Sequence, residues 1–195
     1  MAAELRFYYG VMGSGKSVLA LQQHHQMQSR GKRGLLLTCL DRGGAMIRSR
    51  VGIEAPATDV TGIADLAQFV LSHGELDYVI CDEVSLFTVE QADQLADLVD
   101  DHGIDVYAYG LIVDFRSRLF PATARLLELA DRREALQVQP LCWCGRPASQ
   151  NARIVDGEMV TDGALVVVGD ITGEDTTRYE LLCRPHYRRG ELGPA

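Results

Sequence analysis

The stretch GVMGSGKS, Gly10 to Ser17, follows directly on the apolar, aromatic run LRFYY. It fits G-x-x-x-x-G-K-[ST] at every position, a loop whose glycines let the backbone wrap until its N–H groups converge on phosphate oxygens. Such a loop demands a strand before it and a helix after it, because the positive N-terminal end of the helix completes the cradle. The flanks comply. Residues 5–9 read as a strand and KSVLALQQHHQMQSRG as the helix, with Gly31 where it should stop. Gly10, Val11, Met12, Gly13, Ser14, Gly15, Lys16 and Ser17 are therefore the expected contacts of ATP or a similar triphosphate. In this scheme Lys16 reaches the β- and γ-phosphates and Ser17 offers its hydroxyl to Mg²⁺. The loop specifies binding and leaves the chemistry open.

The chain beyond the loop alternates. RGLLLTCL is a short unbroken apolar run suited to a strand buried on both faces. Ile63, Leu66, Ala67 and Val70 recur at helical spacing, and LDYVICDE gives a third strand. Thr88 and Gln91 have capping-box spacing, ahead of the stripe Ala92, Leu95, Ala96 and Val99. IDVYAYGL is a fourth strand, PATARLLELAD a helix opened by proline, and EALQVQP a fifth strand. This order predicts an α/β fold: a mostly parallel sheet of P-loop type, flanked by helices on both faces. The carboxyl ends of such strands face the ligand crevice, and Asp82 and Glu83 close the third strand there. One acid can hold the Mg²⁺ shell and another can take a proton from an attacking hydroxyl or water. The plain alternative is an acid that caps the next turn, and the sequence does not separate the two roles.

From Leu141 the character changes to short segments, NARIVDGEMV, ALVVVGD and RYELLC, separated by Gly and Asp. CWC (Cys142, Cys144) and CRPH (Cys183, His186) supply thiol and imidazole ligands in two close pairs. Four such ligands suit a closed, structural Zn²⁺ site that staples a segment with little core of its own. The boundary is placed near Pro140. Residues 1–140 form the nucleotide-binding unit and 141–190 a zinc-stapled β subdomain with a lid; 191–195 are a tail expected to fray. Cys39 and Cys81 lie in apolar runs and are expected to be buried. The five cysteines and an opening without a secretory pattern disfavour a disulfide framework and suggest a cytoplasmic protein. A net charge of −8 without a basic run argues against a nucleic-acid partner. No apolar run approaches the ~20 residues of a membrane span.

The ordered set GVMGSGKS, VICDE, AYGLIVDFRSRLF, LCWCGRPAS and RYELLCRPHY resembles, over nearly the whole chain, the small zinc-containing thymidine kinases, especially bacterial ones. The resemblance implies a homotetramer with ATP and thymidine as substrates, transferring a phosphoryl group to the 5′-hydroxyl. Glu83 matches the family's base, and Asp82 and Ser85 join the ATP-binding residues. Met12, Leu111, Phe115, Phe120 and Tyr179 match residues around the pyrimidine, and Arg153 an arginine near the phosphates. Val168 and Gly169, in VVVGD, match the lid's base-binding stretch, and Asp41 and Arg42 an acidic–basic pair. By their chemistry alone, Phe115 and Phe120 suit the core equally well, and Tyr179 suits simple packing in a strand. Two features depart from the family: Ser85 and Leu86 replace its usual glutamine-containing run, and GDITGEDTTRY is longer than its usual link. The first bears on discrimination between thymidine and deoxyuridine. Two rival classes share the loop, a P-loop ATPase or GTPase switch and an interaction module built on a zinc finger. The aromatic DFRSRLF segment, suited to enclosing a flat base, separates them from a nucleoside kinase.

Overall fold

In the computed structural model, which describes residues 2–39, 45–165 and 177–194, β1 (Leu5–Gly10) leads straight into the phosphate loop and α1 (Lys16–Ser29) leads out of it. Gly15, at the start of α1, has φ 86°, a left-handed conformation that favours glycine. A Cβ on Gly10 would lie 2.4 Å from Ser14 Oγ, so the entry to the loop also excludes a side chain.

Six strands form the main sheet in the order β5 (Thr58–Asp59), β2 (Gly34–Thr38), β6 (Tyr78–Cys81), β7 (Asp105–Leu111), β1 and β8 (Arg132–Ala135). Every pairing in it is parallel. The register sets Gly10 beside Leu111 and Cys81 beside Ala108, which gathers the loop and the two acids after β6 at one edge. Alternation within strands feeds two cores. Leu37, Val79 and Cys81 pack with Phe7, Leu95, Leu98 and Leu126, beneath α3 (Val89–Asp100) and α4 (Pro121–Leu129). Leu36, Tyr78, Ile80, Tyr107 and Tyr109 pack with Ala20 and Leu21 of α1. Each fully buried aliphatic side chain contributes about 1.5–3 kcal/mol, so both helical layers are held mainly by apolar burial.

Thr88 Oγ1 accepts from the N–H of Gln91 at 3.1 Å, and Gln91 Oε1 accepts from the N–H of Thr88 at 3.0 Å. The amide of Gln91 also donates to the carbonyls of Val60 and Ile63, joining α3 to the preceding loop. Thr88→Ala should therefore lower unfolding free energy by about 1 kcal/mol, read as a reduced urea midpoint; an unchanged midpoint would show the cap to be idle.

The structure differs from expectation in boundaries. The helix α2 is Leu66–Leu71, capped by Asp65, whose carboxylate accepts from Gln68 N at 2.8 Å; Ile63 sits in the turn before it. The last strand of the sheet runs Arg132–Ala135 and stops short of Pro140. Sequence reading missed β5 and the hairpin β3 (Met46–Arg48)–β4 (Glu54–Pro56). A separate antiparallel sheet has the order β10 (Glu158–Val160), β9 (Gln150–Val155), β11 (Arg178–Leu182), followed by the helix α5 (Arg184–Arg189). In the described part of the tail, Gly193 N donates to Glu180 Oε1 at 2.7 Å, and Trp143 Nε1 donates to the Glu191 carbonyl at 3.3 Å. Among the described residues no helix is long and apolar enough to cross a membrane.

Candidate active site

A cleft of about 540 Å³ opens at the carboxyl edge of the main sheet. Its lining brings Gly13, Gly15, Lys16 and Ser17 of the loop together with Asp82 and Glu83. The same lining includes Met12, Leu111, Phe115, Phe120 and Tyr179, five side chains expected around a base. Phe115 and Phe120 are buried and also line the cleft, so packing and site roles coincide.

The polar groups of the cleft form a coupled set. Lys16 is buried, and its Nζ donates to the Val11 carbonyl at 2.9 Å within the loop. Burial lowers the pKa of Lys16, while Glu83 and Asp82 pull it back up. Asp82 is buried directly after β6 and is raised above the ordinary carboxylate range by that burial. The Ser17 side chain, the main-chain N–H of Glu83 (3.0 Å) and Lys16 oppose the shift. Glu83 adopts φ 54°, a left-handed conformation that costs a non-glycine residue roughly 1–2 kcal/mol. It starts a single 3₁₀ turn, Val84–Leu86, that packs against Gly110 and Leu111 at the end of β7. Burial first, and then the charge of Asp82, push Glu83 from 4.5 up to about 7; Lys16 and Arg50 act against them. A carboxylate held there is matched to proton transfer near neutral pH.

Several expected site residues lie elsewhere. Gly10, Val11 and Ser14 do not line the cleft; the Val11 carbonyl instead accepts from Ser14 N and Lys16 Nζ within the loop. Ser85 is buried, and its Oγ accepts from the N–H of Leu111 at 3.4 Å, bracing the end of β7. Arg153 is 2 % exposed and does not itself line the cleft, but it contacts three residues that do, Phe115, Leu165 and Tyr179. Its guanidinium donates to the Tyr179 hydroxyl (2.9 Å) and the carbonyls of Ala164 (2.7 Å) and Leu165 (3.0 Å). It also stacks 3.6 Å from the centre of the Phe115 ring, so cation–π attraction and three donors hold it beneath the aromatic wall. Val168, Gly169, Asp41 and Arg42 fall outside the described residues.

Other residues of the cleft went unnoticed in the sequence. Met46 to Val51 of the β3–β4 hairpin line it, bringing Arg50 over the loop, and Asn151 of β9 reaches it from the second sheet. The hairpin's GIEAP return and its polar SRVG tip carry only weak hydrophobic alternation, and nothing local marks a lone Asn in a strand.

Beside the Gln150–Leu182 end of the second sheet, Cys142, Cys144, Cys183 and His186 place their ligand atoms within 4.8 Å of one another. Cys142 Sγ and His186 Nδ1 are 3.3 Å apart, and the Sγ atoms of Cys144 and Cys183 are 3.9 Å apart. Burial alone would raise the Cys142 thiol, but main-chain bonds from Cys144 and Cys183 and the His186 ring bring it down to about 6. Three thiols and an imidazole, one already disposed to ionise, fit Zn²⁺ in a closed tetrahedral set. The indole of Trp143 stacks on the His186 ring, with centroids 4.2 Å apart and planes at 6°.

Fold and site together define an α/β protein with a phosphate loop, acids at the adjoining strand end and an appended Cys₃His cluster. The sequence matches the thymidine kinase family model over residues 3–187. It is 50% identical to the thymidine kinase of Cutibacterium acnes over 98% of this chain and 91% of that protein. It is also 50% identical to the thymidine kinase of Streptomyces coelicolor (95% and 89% covered) and 44% identical to that of Jannaschia sp. (95% of each). The chain belongs to the thymidine kinase family.

Proposed function

We propose that this protein transfers the γ-phosphoryl group of ATP to the 5′-hydroxyl of thymidine, yielding dTMP and ADP. The observation that carries the reading is the shared cleft, in which Lys16, Ser17, Asp82 and Glu83 adjoin a wall of Leu111, Phe115, Phe120 and Tyr179. In this reading main-chain N–H groups of the loop and Lys16 bind the phosphates, while Ser17 and Asp82 would hold Mg²⁺. The bound Mg²⁺ would offset charge on the phosphates. Glu83, ionised, accepts the proton of the 5′-hydroxyl as that oxygen attacks phosphorus. The apolar wall excludes water, which would otherwise take the phosphoryl group. Zn²⁺ at Cys142, Cys144, Cys183 and His186 would be structural, since four protein ligands leave no open position.

The same reading divides the chain near Pro140 into a nucleotide-binding unit and a zinc-stapled unit, and takes the enzyme to be a cytoplasmic homotetramer. The relatives' names and the family match support thymidine as acceptor. The test is incubation with γ-labelled ATP and Mg²⁺ against a panel of nucleosides. Label should pass to thymidine, with deoxyuridine as the informative competitor. Release of phosphate without any labelled nucleoside would instead favour an ATPase switch.

A further inference from the structure

Asn151 is 2 % exposed, and both ends of its carboxamide are engaged with main chain outside its own sheet. Its Oδ1 accepts the N–H of Met12 at 2.9 Å, inside the phosphate loop. Its Nδ2 donates to the carbonyl of Val113 at 3.2 Å, just past β7. By contrast, the bonds from Lys16 Nζ and Ser14 N to the Val11 carbonyl stay within the loop. The main chain of Asn151 is paired opposite Leu181 in the three-stranded sheet. That sheet spans the two ligand pairs, for β9 begins at Gln150, shortly after Cys144, and β11 ends at Leu182, directly before Cys183. Leu181 itself approaches the loop, 3.8 Å from where a Cβ on Gly13 would sit. A buried polar group deprived of its partner costs about 1–3 kcal/mol, so this carboxamide fixes the loop and β9 to one relative placement.

We propose that Asn151 is a positioning residue linking the Cys/His cluster to the phosphate loop, so that metal on the cluster and nucleotide on the loop each strengthen binding of the other. Metal joins the chain before β9 to the chain after β11, which holds Asn151 in place, and Asn151 holds Met12 in the nucleotide-ready loop. Linkage is reciprocal, so each occupant tightens the other by the same factor. The inference rests on the kinase reading for the identity of the nucleotide alone.

The experiment competes the full-length zinc-loaded protein at equilibrium against a zinc-selective chromogenic chelator, with and without saturating Mg·ADP. In the wild type, ADP should raise zinc affinity on the order of fivefold or more. In Asn151→Ala that ratio should fall to near one, with the ADP-free zinc affinity little changed. A merely structural Asn151 would weaken zinc binding equally with and without ADP and leave the ratio intact. That result, or a wild-type ratio of one, overturns the linkage. If Asn151→Ala does not fold, Asn151→Ser carries the same comparison, with a shorter hydroxyl unable to span Met12 and Val113 together. The two readings fail separately. An ADP effect on zinc without phosphorylation of any nucleoside removes the kinase and keeps the linkage, whereas thymidine phosphorylation without an ADP effect does the reverse.

Discussion

Glu83→Gln should lower phosphoryl transfer to thymidine by about 10²–10⁴-fold while leaving the ATP dissociation constant within a small factor of wild type. The amide is nearly isosteric, so the left-handed turn at φ 54° and the following 3₁₀ turn keep their shape. What disappears is an acceptor for the 5′-hydroxyl proton. Turnover that survives the substitution unchanged would remove Glu83 from the reaction. The pH dependence carries the same assignment. Glu83 is lifted to about 7, and the base works only when ionised, so wild-type kcat/KM should fall as pH drops below that value. Stability runs the opposite way. Because its folded pKa lies above the ordinary 4.5, the contribution of Glu83 to folding is present in acid and is lost as pH rises through about 7. Urea unfolding of the ligand-free protein at pH 5 and pH 8 should show this loss, and the Gln variant should show less of it.

The second large effect is expected from Cys183→Ser. Cys183 lies at the junction of β11 and α5 and faces Cys144 across 3.9 Å. A small segment of this kind draws its order from the metal that closes it, so loss of one thiolate should release zinc and loosen β9 and β11. Arg153 is on β9 and Tyr179 on β11, and their 2.9 Å bond supports the aromatic wall of the cleft. The thymidine KM should therefore rise on the order of tenfold or more, by analogy with disrupted metal surroundings elsewhere. Zinc content and thymidine affinity are measured together. Unchanged affinity, with no zinc in the purified wild type, would refute both the metal and its role.

What could be read from the sequence was local or strongly patterned. The phosphate loop between β1 and α1, the Thr88–Gln91 box and the acids after β6 each carry their signal within a few neighbouring residues. The two halves of the Cys/His cluster are far apart in sequence but close-spaced internally, and soft ligands in pairs are rare enough to find each other. Features set by tertiary contact were not legible. A strand as short as Thr58–Asp59 has no period to detect, and the hairpin that brings Arg50 to the cleft alternates only weakly. Ile63 fits the helical spacing of Leu66 and Val70, yet Asp65 caps the helix after it, since a good cap outweighs one more apolar match. Arg153 carried a residue type suited to phosphate, but three carbonyl and hydroxyl acceptors and the Phe115 face claim it first. Asn151 shows the limit most clearly. Its partners lie in the phosphate loop and past β7, so only the folded chain reveals what its two amide ends hold.

Trp143 is the sole tryptophan in the chain, and its ring lies flat against a cluster imidazole. The protein thus contains its own optical probe beside the Cys/His cluster. Intrinsic emission from this indole should respond to metal on the cluster, with no background from other indoles. Metal loading of the cluster should accordingly be readable by fluorescence in the unlabelled protein while substrates are added at the cleft.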